Sequence, residues 1–263
     1  MTREFEGKIV VVTGSSRGIG YGIAEAFARE GAQVVLGAAS AENLAKADQK
    51  IRAMGKVLAP VTVAGDLRTE AGCAAVHKAV AHRFGRCDVL VNSAGATKAG
   101  AFLQQPDADW HDGFALKFYS CVRLCRLFWP MLEASQGFVV NIIGGAARTP
   151  DPEFLVGGSV NAAMANFTKG LSGLGKRSGV NVNAILPGLT ETDRVLTLFQ
   201  QRAAATGSTP EEVRRRAVEK DGLRRLATPE DCAELALFLA SPRARHIQGT
   251  SIAVDGGQTA SVF

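Results

Sequence analysis

An apolar run from Lys8 to Val12 leads into Thr13-Gly14-Ser15-Ser16-Arg17-Gly18-Ile19-Gly20, and Ile19 to Arg29 then has the periodicity of a helix. A buried strand that turns tightly, lets an anion approach its backbone and opens a helix whose free N–H groups face that anion needs side chains missing at three points. Gly14, Gly18 and Gly20 are those points. The spacing differs from the common GxGxxG, so the turn by itself is a pointer toward a dinucleotide and takes its force from the rest of the chain.

Beyond this turn, strand and helix alternate. Gln33 to Leu36 reads as a second strand, Glu42 to Met54 as a helix, Val57 to Val63 as a third strand and Glu70 to Phe84 as a helix. Val89-Leu90-Val91 is too apolar for a strand with one wet face, as a parallel sheet covered by helices on both sides requires. A long helix is expected over about Trp110 to Leu132, a strand over Phe138 to Ile142, a helix from near Gly158 to Lys176, and final strands at Val180 to Leu186 and Ser251 to Val254. Thr209-Pro210-Glu211-Glu212 and Thr228-Pro229-Glu230-Asp231 each read as an N-cap, a first-turn proline and an acid at N3. Residues 190–223 are otherwise polar and poorly periodic, which suits a mobile substrate flap outside the sheet. The fold class is therefore α/β, a doubly wound, mostly parallel sheet of Rossmann type, with residues 1–263 as one domain.

Composition narrows the function. A chain of 263 residues, 46% hydrophobic, builds one large core without staples. Its five cysteines, Cys73, Cys87, Cys121, Cys125 and Cys232, lack metal-ligand spacing, so no metal is expected and packing by reduced thiols in a cytoplasmic protein is. The start, Met1-Thr2-Arg3-Glu4-Phe5-Glu6, is charged, and no apolar run reaches membrane-spanning length. The net charge of +5 is spread out, and acids interleave with Arg214-Arg215-Arg216 and Arg224-Arg225, which favours solvated helix faces over a nucleic-acid groove.

Taken in order, these motifs resemble the short-chain dehydrogenase/reductase family in its short, single-domain form, over essentially the whole chain. Thr13 to Gly20 is similar to its TGxxxGxG, and Asp66-Leu67 to the acidic position near the adenine amino group. Asp88 to Gly95 is similar to the strand carrying its NNAG element, with Ser93 replacing one asparagine. Asn183 to Thr192 is similar to its PG motif, whose final threonine bonds the nicotinamide carboxamide, and Arg225 to Asp231 and Val254-Asp255-Gly256-Gly257 follow the pattern of its tail. The resemblance implies cofactor contacts from Gly14, Ser16, Arg17, Gly18, Ile19, Gly20, Asp66, Leu67, Asn92, Ala94, Gly95, Asn161, Pro187, Gly188 and Thr192. It also implies a homodimer or homotetramer through the two long helices near Trp110–Leu132 and Gly158–Lys176.

The family transfers hydride with an Asn, Ser, Tyr and Lys set. Registering Trp110 puts Lys117 at the asparagine, and Asn141-Ile142 puts Gly144 at the serine. The segment Gly157 to Phe167 aligns with the YxxxK helix without a gap, giving Gly157 for tyrosine and Asn161 for lysine. Glycine exchanges no proton, and no tyrosine follows Tyr119, which lies two residues beyond Lys117 and points away from it. Lys117 is the candidate to restore a cation near the ribose and nicotinamide, against the alternative of a packed stem with a solvated head. Ser159 is the nearby hydroxyl, with a helix cap as its alternative.

A family member that selects NAD ends its second strand in an acid; here the stretch is Leu36-Gly37-Ala38-Ala39-Ser40. Arg17 resembles the basic residue that meets the extra phosphate of NADP, although the basic residue usual just after the second strand is missing, so the balance favours NADP(H) over NAD(H). Phe102, Leu103, Arg148, Phe154, Leu155 and Leu189 are candidates to line a pocket, in which Arg148 would receive an acid. Two functions remain open: an oxidoreductase acting on a small carbonyl or alcohol by a non-standard mechanism, and a catalytically inactive dinucleotide-binding sensor or partner subunit.

Overall fold

Apolar runs, most of them rich in β-branched residues, become the strands β1 (Ile9–Thr13), β2 (Gln33–Ala38), β3 (Val61–Ala64), β4 (Val89–Asn92), β5 (Phe138–Ile142), β6 (Asn181–Pro187) and β7 (Ser251–Val254). The computed structural model describes residues 3–261, so Met1 and Thr2 of the charged leading run lie outside the described residues. The strands form one parallel sheet in the order β3-β2-β1-β4-β5-β6-β7. Alternate side chains supply two cores. Val10, Val12, Val34, Leu36, Val89, Val91 and Val140 point into one, and Val11, Val35, Leu90 and Val139 into the other. This is the doubly wound Rossmann architecture.

The helices α1 (Gly18–Arg29), α2 (Ala41–Ala53) and α9 (Pro229–Leu239) bury residues in the first core, and α3 (Glu70–Phe84), α5 (Ser120–Ser135) and α6 (Leu155–Ser178) in the second. Where α1 meets α9, a Cβ added at Gly22 would lie 2.8 Å from Pro229 Cβ, so the glycine sets how closely the two helices approach. Thr228 and Asp231 form the expected capping box, and Thr209 caps α8 (Pro210–Lys220) through its bond from the Glu212 N–H, 3.2 Å.

Three expectations need correction. β3 covers Val61–Ala64 rather than starting at Val57, because its outward residues are partly exposed and its pairing with β2 begins only at Val35↔Val61. The expected single helix over Trp110–Leu132 is instead α4 (Asp107–Gly113), a π-helical turn (Phe114–Tyr119) and α5, the extra residue per turn being invisible to a 3.6-residue pattern. Residues 190–223 contain α7 (Asp193–Thr206), which buries Phe199 and Ala203, and α8, whose charged face is held by pairs such as Arg216–Glu212 and Arg215–Glu219 rather than by an apolar stripe. Among the described residues, no helix is long and apolar enough to cross a membrane.

At Gly72, in the first turns of α3, a Cβ would lie 2.1 Å from the Asp66 carbonyl oxygen. Gly72→Ala should therefore lower unfolding free energy by about 1–3 kcal/mol, measured by urea denaturation. An unchanged midpoint would show that the Asp66 loop yields without cost.

Candidate functional site

The order of the sheet reverses at β1 and β4, and ligands of such sheets sit outside the carboxyl ends of the strands at that reversal. Thr13, the last residue of β1, stands opposite Asn92, the last of β4. Its hydroxyl accepts from the Ser93 and Ala94 N–H groups at 3.2 and 3.3 Å. Ser15 donates to the Val12 carbonyl at 2.7 Å and accepts from the Gly37 N–H at 3.1 Å, tying the turn to β2. Thr13 and Ser15 belong to the motif, yet as single residues they carry no sequence signal for these roles.

The glycines work as the sequence requires. Gly14 has φ +66, and a Cβ on it would lie 2.8 Å from Ala94 Cα; a Cβ on Gly20 would lie 2.4 Å from the Gly14 carbonyl oxygen. Gly18, φ +58, opens α1, and its missing Cβ would sit 3.4 Å from Thr192 Cγ2, so the loop after β6 comes over the same turn. Arg17 is extended and exposed just before α1, Ser16 and Ile19 are partly buried, and a groove of about 520 Å³ beside them is lined by the cations Arg17, Lys46 and Lys50 and by the carboxylates Glu25, Glu191 and Glu230. Asp66 Oδ1 accepts from the Arg68 N–H at 3.0 Å, while Leu67 is buried in the core. Pro187 ends β6, and Gly188 N–H donates to the Val254 carbonyl at 3.0 Å; a Cβ on Gly188 would meet Asp255 Cβ at 2.7 Å.

A buried polar chain anchors the second side. Asn92 Nδ2 donates to Asn141 Oδ1 at 2.9 Å, Asn141 Nδ2 to Thr168 Oγ1 at 2.8 Å, and Thr168 Oγ1 to the Met164 carbonyl at 2.8 Å. The ends of β4 and β5 are thereby fixed to α6. Asn92 Oδ1 and Asn161 Oδ1 are buried without a hydrogen-bond partner among the described residues. Buried acceptors of this kind are rare unless a ligand or water completes them. Together with a turn that admits no Cβ, they fit a dinucleotide lying across the strand ends.

Lys117 belongs to the π-helical turn. Its stem passes over Gly95, where a Cβ would be 2.9 Å from Lys117 Cδ, and its ammonium donates to the Ile143 carbonyl. The solvated-head alternative does not hold. Burial pushes its pKa down to about 8, the charge of Arg194 pushes in the same direction, and the Cys121 thiol opposes weakly. Next to Ile143, Gly144 has φ +145, and a Cβ on it would lie 2.9 Å from Asn161 Nδ2. Four residues before Asn161 on α6, a Cβ on Gly157 would fall 2.0 Å from Phe154 Cζ, so the Phe154 ring fills the space over that glycine. Lys117, Gly144, Asn161, Gly157 and Phe154 thus form one corner at the end of β5.

Other candidates lie elsewhere. Ser159 is exposed within α6 and does not cap it; two residues from both Gly157 and Asn161, it lies on another face of the helix. Arg148 donates to the Ser251 carbonyl at 2.7 Å and so faces β7. Tyr119 is half exposed with Arg123 over its ring. All five cysteines are buried and unbridged, and among the described residues no group of His, Cys, Asp or Glu is arranged to hold a metal. Arg194, which no sequence motif marks, donates from Nη2 to the Thr97 carbonyl at 2.7 Å and joins α7 to the loop after β4. An arginine in a charged helix carries no signal for such a contact.

Fold and site define a Rossmann-type dinucleotide-binding oxidoreductase scaffold. A family model described as enoyl-(acyl carrier protein) reductase matches residues 14–259, and the chain belongs to this branch of the short-chain dehydrogenase/reductases. The crystal structure of L-sorbose reductase from Gluconobacter frateurii, complexed with NADPH and L-sorbose, is 31% identical, with a TM-score of 0.95 and 100% of both chains covered. A 3-oxoacyl-[acyl-carrier-protein] reductase of Vibrio cholerae is 32% identical over 96% of this chain and 97% of its own. A single-residue variant of the actinorhodin polyketide ketoreductase with NADPH is 27% identical, with a TM-score of 0.91 over 97% of this chain and 98% of that one.

The Lys117 environment has a thermodynamic consequence. With its pKa held near 8 against an ordinary 10.5, the unfolded chain binds more protons than the folded one between those values. Relative to Lys117→Met, wild-type stability should be flat below about 8, rise toward 10.5 and level off above it. Urea unfolding across that window checks this, and parallel curves for the two proteins would place the ammonium in water.

Proposed function

We propose that this chain is an NADP(H)-dependent oxidoreductase of a small carbonyl or alcohol in which Lys117, not a tyrosine, handles the proton. The observation that carries the reading is the Lys117 ammonium held on the Ile143 carbonyl at the corner shared by Gly144, Asn161 and Gly157. By register with the family, these four positions are those of its asparagine, serine, lysine and tyrosine, and all four are substituted. A bound nicotinamide supplies or accepts the hydride. The chain's part is to hold the cofactor on the glycine turn, to orient the substrate oxygen and to give that oxygen a proton from Lys117 Nζ in reduction or take it in oxidation. A group with a pKa of about 8 is well matched to that exchange near neutral pH. Asn161 Oδ1 offers an acceptor to a ribose hydroxyl, and α7 and α8 form the substrate flap over the cleft, within the single domain.

NADP(H) is favoured over NAD(H). Ala38 ends β2 without an acid to hold a ribose, and Arg17, with no carboxylate partner among the described residues, faces the groove beside Lys46 and Lys50. The NADPH complexes of L-sorbose reductase and of the polyketide ketoreductase support the same choice. Five unbridged thiols support a reducing, cytoplasmic setting. The open face of α6 at Gly170 and Gly173, beside the exposed Leu174, supports association into a homodimer or homotetramer.

A second reading rests on Phe154. Its ring lies where a side chain at residue 157 would project, which suits a silent dinucleotide-binding sensor or partner subunit. Calorimetric titration with NADPH and NADH, followed by turnover of a carbonyl panel, separates the two. Expected are tighter binding of NADPH, a loss of about tenfold in that binding for Arg17→Ala with NADH unaffected, and turnover abolished by Lys117→Met. Saturable binding without turnover of any carbonyl would establish the silent reading, and failure of both nucleotides to bind would defeat both.

A further inference from the structure

Two cations flank the loop after β4, Lys117 on the side of β5 and Arg194 on the side of α7, and neither is paired with a carboxylate among the described residues. Lys117 reaches it from the π-helical turn across Gly95, and Arg194 reaches it from the first turn of α7 through its bond to the Thr97 carbonyl. Thr97 packs on the helix that carries Lys117, since a Cβ on Gly113 would be 3.1 Å from Thr97 Cγ2. The short segment Gly95 to Thr97 thus carries the Lys117 stem at one end and the Arg194 guanidinium at the other.

The surrounding charges are committed or turned elsewhere. On α4, Asp109 is held by Lys98 at 2.7 Å and Asp112 by Arg68, while His111 is exposed. Asp151 accepts from the Glu153 N–H at 2.9 Å, and Glu191 binds Arg214. Glu153 and Asp193 are exposed, the Cys121 thiol beneath is kept protonated by burial, and Arg148 is turned to β7. Neither Lys117 nor Arg194 enters an ion pair among the described residues. A partly desolvated ammonium without an anionic partner gains when an anion binds beside it, and the exposed Arg194 guanidinium is free to turn to the same anion. A substrate that carries its own anionic group would offset both charges.

We propose that Lys117 and Arg194 together bind the carboxylate of an acid-bearing substrate, and that the substrate class is a 2-oxo acid or the corresponding 2-hydroxy acid. Such a molecule presents its carboxylate beside the reacting oxygen. Arg194 takes the carboxylate, and Lys117 is shared between the carboxylate and the carbonyl oxygen. In reduction, hydride adds to the carbonyl carbon, the C=O π pair takes the Lys117 proton, and the hydroxy acid leaves with Lys117 as the free amine, which is reprotonated by water. This rests on the oxidoreductase reading for the chemistry but not for the binding.

The test uses oxamate, an anionic and non-reducible analogue of a 2-oxo acid, against neutral oxamide of nearly the same shape. Trace acetylation of Lys117 is followed by peptide mass spectrometry on the full chain, with and without NADPH, as a function of pH. Oxamate is expected to protect Lys117 at a concentration at least about tenfold below that needed for oxamide and to move the midpoint of labelling to higher pH. Arg194→Gln, an exposed position whose change leaves the core intact, is expected to remove about tenfold of that preference. Equal effects of oxamate and oxamide, no protection by either, or protection indifferent to Arg194→Gln would overturn the proposal. Failure of NADPH to bind while oxamate still protects would defeat the oxidoreductase reading alone, and turnover of neutral carbonyls without oxamate protection would defeat the carboxylate site alone.

Discussion

The close approach of the turn after β1 to the backbone after β4 governs the rest of the structure. Gly14 lies against Ala94 and Gly20 against Gly14 at distances no Cβ tolerates, and the Thr13 hydroxyl accepts two N–H groups from the opposite chain segment. This contact holds the crevice at the strand reversal open in one shape. It also fixes where β4 ends, hence where Asn92 meets Asn141, and through Thr168 where α6 lies. The corner containing Lys117 and Asn161 is therefore built outward from a backbone contact two strands away.

That contact is legible in the sequence because glycine leaves a mark that few other causes produce: three glycines in an eight-residue turn after an apolar strand. The parallel sheet is legible for a related reason, since Val89-Leu90-Val91 has no polar face and so needs cover on both sides. The π-helical turn is not, because one extra residue shifts the register of everything beyond it while leaving the apolar content unchanged. α8 is hidden because ion pairs, not an apolar stripe, stabilise its face, and α7 because it buries only Phe199 and Ala203. Arg148 and Arg194 show the limit for single residues: both are arginines near the cleft in sequence, and only the path of the backbone decides that one bonds Ser251 and the other Thr97.

The π-helical turn also sets where the Lys117 ammonium ends. The turn carries the Lys117 stem along Gly95, whose lack of a side chain leaves room for the methylenes, so the ammonium arrives at the Ile143 carbonyl with its stem partly dry. Depression of the pKa follows from that route, because a charge removed from water binds its proton less tightly.

Phe154 and Gly157 make the lack of an acid at this corner a property of several residues rather than one. Since the Phe154 ring occupies the space into which a side chain at 157 would extend, a tyrosine introduced there has to displace an aromatic ring that ends a short 3₁₀ turn joined to the loop after β4 by the Gly100 N–H to Glu153 carbonyl bond, 3.0 Å. Gly144 is constrained in the same way, because its φ of +145 disfavours any side chain and its Cβ position meets the Asn161 amide. The corner is therefore packed around glycine, phenylalanine and asparagine, with the Lys117 ammonium on the Ile143 carbonyl just past β5 and the protonated Cys121 thiol on Asn141 within it.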